Sequence, residues 1–381
     1  ENMETTRQTK SLPATKSAAA ALTFHGRSWP LFRIFIVNLI LTILTLGFYR
    51  FWGKTRIRRY LWSHTAFEDE RLEYTGTAKQ LFLGFLIAVF LVLIPFFGGV
   101  EGWRHYQEIG GPENMGLTDS VEFAAVVYLI PVALYRTRRY RLSRSKWRGI
   151  GATQTGSSWL YGAMTLGSYV LTVLTLGLAW PFCSTRLMAY KINNTWLGGS
   201  RFSFKAKAAP LYPRFLAVLG VSLVCLFLPI MAVAVIAWPA LALLMGEFSL
   251  ANLQGLGHFS NTYFFLSLGI ILLAVILSRL PWSWYKAREM SYFTGQTRLR
   301  DLTFAADISG WNLLKLRIGN FFLLVLTLGL ALPVVYVRIC RFMASHLRVG
   351  NAARISAIVQ RSKESSRTGE GLADVFDVGE F

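Results

Sequence analysis

The side chains that most often carry catalysis or hold metals are few in this chain and lie far apart in sequence. Its three cysteines form no Cys-x2-Cys pair, and its five histidines show no zinc-binding spacing. The acidic run at residues 68–70 falls in a loop and Glu122 at the end of an apolar stretch, so no two carboxylates are placed for acid–base work. We therefore predict that the protein is not an enzyme and has no metal site and no cofactor.

One motif does recur: an arginine followed four residues later by an aromatic ring. On a helix this spacing puts both side chains on one face, one turn apart. Beside an apolar segment such arginines face anionic lipid headgroups, with a gain of about 1 kcal/mol each, and the rings lie in the membrane interface. The predicted headgroup-binding residues are Arg56, Arg136, Arg186, Arg288 and Arg338, and the predicted interfacial rings are Tyr60, Tyr140, Tyr190 and Tyr292, with Phe342 in the fifth copy.

The same arginines have two other interpretations. Basic residues next to apolar segments also fix membrane topology without binding a ligand, and this role is compatible with headgroup contact. Nucleic-acid binding likewise combines arginine with aromatic rings, but here the arginines adjoin apolar segments. We therefore predict membrane lipids, anionic ones above all, as partners and no nucleic acid, while a protein partner or a second copy of the chain stays open.

A second motif, Thr-Leu-Gly, occurs inside three apolar stretches. Glycine is a usual helix stop, and Pro181 and Pro333, each four residues after one of these glycines, suit the first turn of a new helix. Polar residues lie two and nine positions before each glycine, and we expect them inside the membrane: Thr45, Thr175, Thr327, Asn38, Ser168 and Asn320. They either pack the helices together or line a polar site between broken helices.

These motifs are set in a chain that is both apolar and basic. Of its 381 residues, 53% are hydrophobic and 16% charged, and 40 Lys and Arg stand against 20 Asp and Glu. Soluble domains average about 25% charged residues. Together with a mean hydropathy of +0.41, this composition predicts a polytopic, α-helical membrane protein and excludes an intrinsically disordered chain.

The placement of charge predicts how the apolar stretches cross the membrane. Basic clusters at residues 50–59 and 136–148 contrast with an acidic segment at 99–122, so the positive-inside rule puts the arginines in the cytoplasm of a bacterial inner membrane. The three Thr-Leu-Gly stretches have basic residues at both ends, and we therefore predict broken, re-entrant helices there. The four predicted crossings lie at about 81–100, 118–135, 215–237 and 262–282, and a protein with seven full spans is the alternative.

Short alternating runs after the arginine helices predict brief strands that gather into a small cytoplasmic sheet of four or five strands. These elements form a repeated unit, which recurs about two and a half times. In order, the unit contains a strand, a broken helix, an arginine helix, a strand, two crossings and a second arginine helix. The predicted parts are a flexible N-terminus at 1–21, repeats at 22–149 and 150–301, a partial repeat at 302–350 and a flexible tail at 351–381.

Several of these residues also carry a resemblance to a known family. Residues 44–56 read LTLGFYRFWGKTR, residues 59–65 RYLWSHT and residues 73–77 EYTGT. This pattern resembles the YjgN family of bacterial inner-membrane proteins over roughly residues 22–350, although Gly53 stands where members often have Ala. The resemblance implies a bacterial cytoplasmic membrane location, and it supplies no catalytic residues because the family has no assigned activity.

Two functions fit these observations. The first is a non-enzymatic inner-membrane protein that handles or transports a lipid or a small amphipathic solute in a cavity between the repeats. The alternative is a structural or assembly protein that docks a partner through its cytoplasmic face. Ion-coupled pumping is disfavoured, because the predicted crossings hold no ionisable side chain at mid-membrane.

Overall fold

A computed structural model describes residues 20–110, 115–246 and 253–351 of the chain. Nearly all of the two terminal segments that we predicted to be flexible therefore lies outside the described residues.

Within the described residues, ten short strands form one closed antiparallel ring, in which each strand pairs with the next along the chain and the first pairs with the last. The strands are β1 (Ala20–Phe24), β2 (Thr65–Phe67), β3 (Glu70–Tyr74), β4 (Ser145–Trp147), β5 (Ile150–Gln154), β6 (Thr195–Leu197), β7 (Ser200–Phe204), β8 (Thr297–Leu299), β9 (Leu302–Ala306) and β10 (Leu347–Gly350). Ala20 of β1 lies opposite Val349 of β10, which closes the ring.

The predicted fold class, a helical membrane protein with only a small sheet, is wrong on this point. Strands of three residues, such as β2, β4, β6 and β8, are too short to show a recognisable alternation of apolar and polar residues. A sheet of four or five such strands would also leave two edges with unpaired backbone groups. Closing all ten strands into a barrel removes every edge, and this explains why the complete ring forms.

Helical hairpins connect the strands. The helices are α1 (Ser28–Leu44), α2 (Arg50–Ser63), α3 (Ala78–Ala88), α4 (Ile94–Gly110), α5 (Met115–Ser143), α6 (Ser158–Leu174), α7 (Trp180–Asn193), α8 (Tyr212–Gly246), α9 (Leu253–Arg279), α10 (Trp282–Gly295), α11 (Gly310–Leu326) and α12 (Leu332–His346). A π-helical turn, Val89–Leu93, joins α3 to α4.

The five helical hairpins that the described residues form all project from the same rim of the barrel. The strand before each hairpin pairs with the strand after it, so both hairpin ends lie at one level, as in the pairs Phe24–Thr65 and Phe204–Thr297. The β-turns therefore lie at the opposite rim. The helix that returns to the barrel, which we call the return helix, is α2, α5, α7, α10 or α12 in the successive hairpins.

Two described helical segments are long and apolar enough to cross a membrane: Ala209–Ala234, with mean hydropathy 2.7, and Phe265–Gly295, with mean hydropathy 2.0. They contain most of the predicted crossings at 215–237 and 262–282. The other two predicted crossings fall in the helices α3 to α5, which are not among these two segments. The count of four crossings therefore remains a prediction.

The barrel is filled by apolar side chains. Trp147, Leu299 and Leu302 are buried and form one cluster. The half-buried residues packed against them come from most of the other strands: Phe67, Leu72, Ile150, Leu197, Phe202 and Phe304. Only the interior of the ring brings side chains from β2 through β9 together, so it is a packed core, as in other small barrels.

Candidate functional site

Three tyrosines of the arginine motif fasten the return helices to the barrel rim. The hydroxyl of Tyr60 accepts a hydrogen bond from the amide of Arg27 (3.0 Å) and donates one to the carbonyl of the same residue (2.9 Å). Tyr190 makes the same pair of bonds with Ser157, and Tyr292 makes it with Lys207. Each tyrosine thus joins the end of its hairpin to the loop where that hairpin begins.

The fourth tyrosine lies in a different environment. Tyr140 is 1% exposed, and its hydroxyl donates to Gln80 Oε1 at 3.0 Å. Burial, assisted by the nearby Tyr74, raises the pKa of Tyr140 to about 12. Its ring packs with Phe51 and Leu81 rather than lying at the exposed surface.

The residue just before the ring makes a second contact, which was not predicted from the sequence. Arg59 and Arg341 each donate to the carbonyl of a glycine in a neighbouring strand–helix loop, Gly76 and Gly26, at 3.4 Å, and Arg139 donates to Gly156 in the same way. The signal was present in the sequence, because Arg precedes the ring in three of the five copies. These contacts fasten the end of one hairpin to the start of the next.

Three of the five motif arginines, Arg56, Arg186 and Arg288, are exposed, whereas Arg136 and Arg338 are half-buried. Arg56 lies over the Tyr49 ring and Arg186 over the Phe182 ring, at 5.6 Å and 4.9 Å from the ring centroids. Arg136 lies over Trp159 of the next hairpin. Arg288 is exposed, and Arg338 packs against Gly319.

These arginines keep donors for an external anion, although Arg136 Nε already donates to Ser158 Oγ at 3.1 Å. Within the part of the chain that the structure describes, none of the five forms an ion pair with Asp or Glu. The rings beneath Arg56, Arg136 and Arg186 hold each guanidinium near an apolar surface by cation–π attraction. A guanidinium fixed in this way keeps donors that match phosphate geometry.

Above the three Thr-Leu-Gly turns the hairpins expose apolar tips. The threonine hydroxyl joins the two helices: Thr175 Oγ donates to the carbonyl of Leu171 at 2.8 Å and accepts from the amide of Ala179 at 3.0 Å. Thr45 and Thr327 make the same two kinds of bond. The leucine of each motif has a positive φ and is almost fully exposed: Leu46 91%, Leu176 89% and Leu328 93%.

The other predicted polar residues lie between the two helices of each short hairpin. Asn38 is 4% exposed and donates to the carbonyl of Gly53 at 3.5 Å, and the Ser168 carbonyl accepts from Cys183 Sγ at 3.7 Å. Asn320 is 8% exposed. None of these residues lines the cavity described next, and their contacts are those of helix packing.

A cavity of about 300 Å³ lies where α7 and α10 meet the barrel. Its walls are mainly apolar, and the apolar residues are Met188, Ile192, Phe202, Met290, Phe293 and Phe304. Met188 and Met290 each lie two residues after a motif arginine, on the face of the helix opposite to it. The cavity thus lies on the side of α7 and α10 opposite to Arg186 and Arg288.

One ion pair borders this cavity. Lys286 Nζ lies 2.6 Å from Glu289 Oε2, and the two side chains are 46% and 2% exposed. The Tyr285 hydroxyl reaches the other carboxylate oxygen at 3.5 Å. Glu289 was not among the residues predicted from the sequence, because the helix was interpreted only through Arg288 and Tyr292. An isolated acid in an otherwise basic helix was the available signal.

The described residues contain no cluster of three or more His, Cys, Asp or Glu that could hold a metal. Cys183 is buried, and Cys225 and Cys340 are half-buried free thiols. Burial raises the pKa of Cys340 to about 11, which makes this thiol a poor nucleophile at neutral pH.

Comparison with known proteins gives a consistent result. A family model described as a bacterial protein of unknown function, DUF898, matches residues 19–375. The chain is 26% identical over 129 residues to the inner membrane protein YjgN of Salmonella typhimurium strain LT2, which covers 34% of this chain and 30% of that protein. It is 37% identical over 67 residues to inner membrane protein YjgN of Escherichia coli O157:H7, which covers 18% and 17%. The matched regions thus span less than a third of these relatives, and no solved structure matches the chain.

Proposed function

This chain belongs to the bacterial family of unknown function DUF898, and we infer that it lies in the inner membrane, because relatives are named as inner membrane proteins. We propose that it is not an enzyme and that it binds, and thereby handles or transports, a lipid or a small amphipathic solute. The observation that carries this proposal is the surroundings of the five motif arginines. None of them has an acidic partner among the described residues, three of them are exposed, and all five lie on hairpins that expose apolar side chains.

The exposed surface of the short hairpins supports contact with lipid. Leu44, Leu174 and Leu326, the last helical residues before each Thr-Leu-Gly turn, are 73%, 76% and 80% exposed. Exposed apolar patches of this kind mark interaction with a membrane or a partner. Because all three tips have this character, a bilayer explains them more simply than three separate protein partners.

The proposed topology places the barrel in the cytoplasm and the hairpins in the membrane. Each short hairpin begins with a helix of 17 residues, which spans about 25 Å at about 1.5 Å per residue. This is less than the hydrocarbon core of about 30 Å, so the short hairpins enter the membrane and return. In this topology α8 and α9, which contain most of the two long apolar segments, cross it, and α10 returns to the barrel.

We also propose that the chain arose from one repeated unit, a helical hairpin followed by a β-hairpin. Equivalent hydrogen bonds support this idea, since Tyr60, Tyr190 and Tyr292 bond loops at corresponding places. The predicted boundaries at 149–150 and 301–302 fall in the β4–β5 and β8–β9 turns. In this scheme the five arginines form a belt at one depth around the barrel rim.

The test is lipid retention by the purified protein in detergent, measured by native mass spectrometry. The double variant Arg56→Ala/Arg186→Ala is compared with Arg298→Ala/Arg348→Ala, which removes two exposed arginines from barrel strands. We expect the first variant to retain less phosphatidylglycerol, by about fivefold per arginine, and the second to retain as much as the wild type. Equal retention by both variants contradicts the headgroup proposal.

The alternative function, docking of a partner on the cytoplasmic side, is favoured by one observation. The exposed side chains of β7, β8 and β10 include Arg201, Arg298 and Arg348, and the strands β7 to β10 contain no acidic residue. This wall would fit an acidic protein surface. A stoichiometric acidic partner that co-purifies with the wild type and is lost from Arg201→Glu/Arg298→Glu supports docking. A partner retained by that variant argues against this surface.

A further inference from the structure

We propose that the cavity between α7, α10 and the barrel binds an amphipathic molecule with one acyl chain and a zwitterionic, amine-bearing head. The chain would lie among the apolar residues, the ammonium group would bind Glu289, and the anionic group of the head would bind Lys286. This inference rests on the proposed lipid-handling function and gives it a second site, distinct from the motif arginines.

The volume and lining of the cavity define the apolar part of the ligand. About 300 Å³ lies at the lower end of the range of about 300–1,000 Å³ for small-molecule sites, which suits the insertion of a single acyl chain. Met188 and Met290 supply flexible thioether side chains, which adapt to a flexible guest.

The barrel closes the cavity on one side. Phe202 and Phe304, whose ring centroids lie 6.0 Å apart, line the cavity and also pack against the core of the barrel. A solute that enters the cavity therefore meets packed apolar side chains instead of a passage through the barrel. This arrangement favours a binding site that is reached from the helical side over a channel.

The ion pair selects the head of the ligand. Glu289 is 2% exposed, and its carboxylate receives Lys286 at 2.6 Å on one oxygen and only a long contact of 3.5 Å, from Tyr285, on the other. A carboxylate offers about four acceptor positions, so an additional donor can be accommodated. A purely anionic head would draw Lys286 away and leave Glu289 buried without its cation, which is unfavourable. A zwitterion supplies a partner to both charges.

The experiment uses the full-length protein in detergent with two photoactivatable probes: lysophosphatidylethanolamine and lysophosphatidylglycerol, each with a diazirine on a ten-carbon acyl chain. Crosslinked peptides are located by mass spectrometry. We expect the ethanolamine probe to label peptides that contain Met188, Met290 or Phe304 at least tenfold more than the glycerol probe does.

Two variants and one control test the assignment. Met290→Trp fills the cavity and should abolish this labelling, whereas Met343→Trp, at an exposed methionine of α12, should leave it unchanged. Glu289→Gln should make the two probes label equally. Labelling that persists in Met290→Trp, or equal labelling of the wild type by both probes, overturns the proposal.

The motif arginines and the cavity are tested separately. If Arg56→Ala/Arg186→Ala loses phosphatidylglycerol but keeps the cavity crosslinks, only the arginine belt is responsible for anionic-lipid retention, and the cavity assignment stands. If the cavity crosslinks are absent from the wild type while phosphatidylglycerol is retained, the cavity proposal fails and the function proposed for the arginines stands.

Discussion

The hydroxyl of Tyr190 donates a hydrogen bond to the carbonyl of Ser157 and accepts one from the amide of the same residue, both at 2.9 Å. One side chain thereby satisfies both backbone groups of a loop residue 33 positions away. The contact joins the end of α7 to the start of α6, and equivalent contacts by Tyr60 and Tyr292 join the ends of two other hairpins.

Replacing this hydroxyl should lower stability with little change in packing. We expect Tyr190→Phe to reduce the free energy of unfolding by about 1 kcal/mol, because hydrogen bonds of this type contribute about 0.5–1.5 kcal/mol and water can partly replace them in an exposed loop. Tyr169→Phe, at an exposed position of α6, is the matched control. Thermal unfolding in detergent measures both, and equal melting temperatures of the two variants would refute the role of the hydroxyl.

The Thr-Leu-Gly turn requires glycine at its third position. Gly177 has φ +91°, and a Cβ atom there would have no neighbour within 4 Å, so only backbone strain opposes a side chain. We expect Gly177→Ala to destabilise the protein by about 1 kcal/mol. Gly167→Ala, in the interior of α6 where a Cβ is also free of neighbours, should instead stabilise it by about 0.5–1 kcal/mol. Chemical denaturation measures both changes, and a stabilising Gly177→Ala would contradict the strain argument.

Labelling of single cysteines tests the proposed topology. In a background without Cys183, Cys225 and Cys340, a cysteine is introduced at Asp69 in a barrel turn, at Leu176 on a hairpin tip or at Trp103 in α4. All three native residues are exposed in the structure.

An impermeant maleimide added to whole cells should label only the Trp103→Cys variant, because the barrel lies inside and the tip lies in lipid. Labelling of Asp69→Cys should require inverted vesicles. Labelling of Leu176→Cys from outside would mean that the short hairpin crosses the membrane, and would support the seven-span alternative.

The buried thiol of Cys340 gives a prediction about pH. Burial raises its pKa to about 11, above the ordinary value of about 8.5, so at pH 8 the thiolate fraction is lower by a factor on the order of 100. We expect its reaction with a maleimide to accelerate about tenfold per pH unit up to pH 10, whereas an exposed cysteine at Ser345, on the same helix, should level off near pH 9. A plateau near pH 9 for Cys340 would show that the thiol is not shielded by burial.

The same shift has a consequence for stability. Between about pH 9 and pH 11 the unfolded chain loses the Cys340 proton while the folded protein keeps it. Folding stability must therefore fall as pH rises through this interval, and the thiol's contribution is fully present below it. Cys340→Ala should remove this part of the pH dependence in unfolding curves.

Short-range chemistry was predictable from the sequence. The Thr-Leu-Gly motif indicated breaks in three apolar helices, and the structure has turns there, at Leu46, Leu176 and Leu328. The spacing of arginine and aromatic residues indicated the return helices, and the resemblance to the YjgN family is confirmed by the comparisons. These features depend on neighbours within one or two helical turns, so a single segment contains the information.

The closed barrel and the cavity were decided only by the tertiary structure. The pairing of Ala20 with Val349 joins the two ends of the described chain, and no local pattern identifies which three-residue strand meets which. Glu289 lies beside the cavity only because α7, α10 and β7 to β9, which are distant in sequence, meet there. The sequence by itself determined where helices break and where charge and apolar length alternate, because those choices follow from local geometry and solvation. The ring and its cavity required strand edges and helix faces from distant segments to find partners, since each is unstable alone.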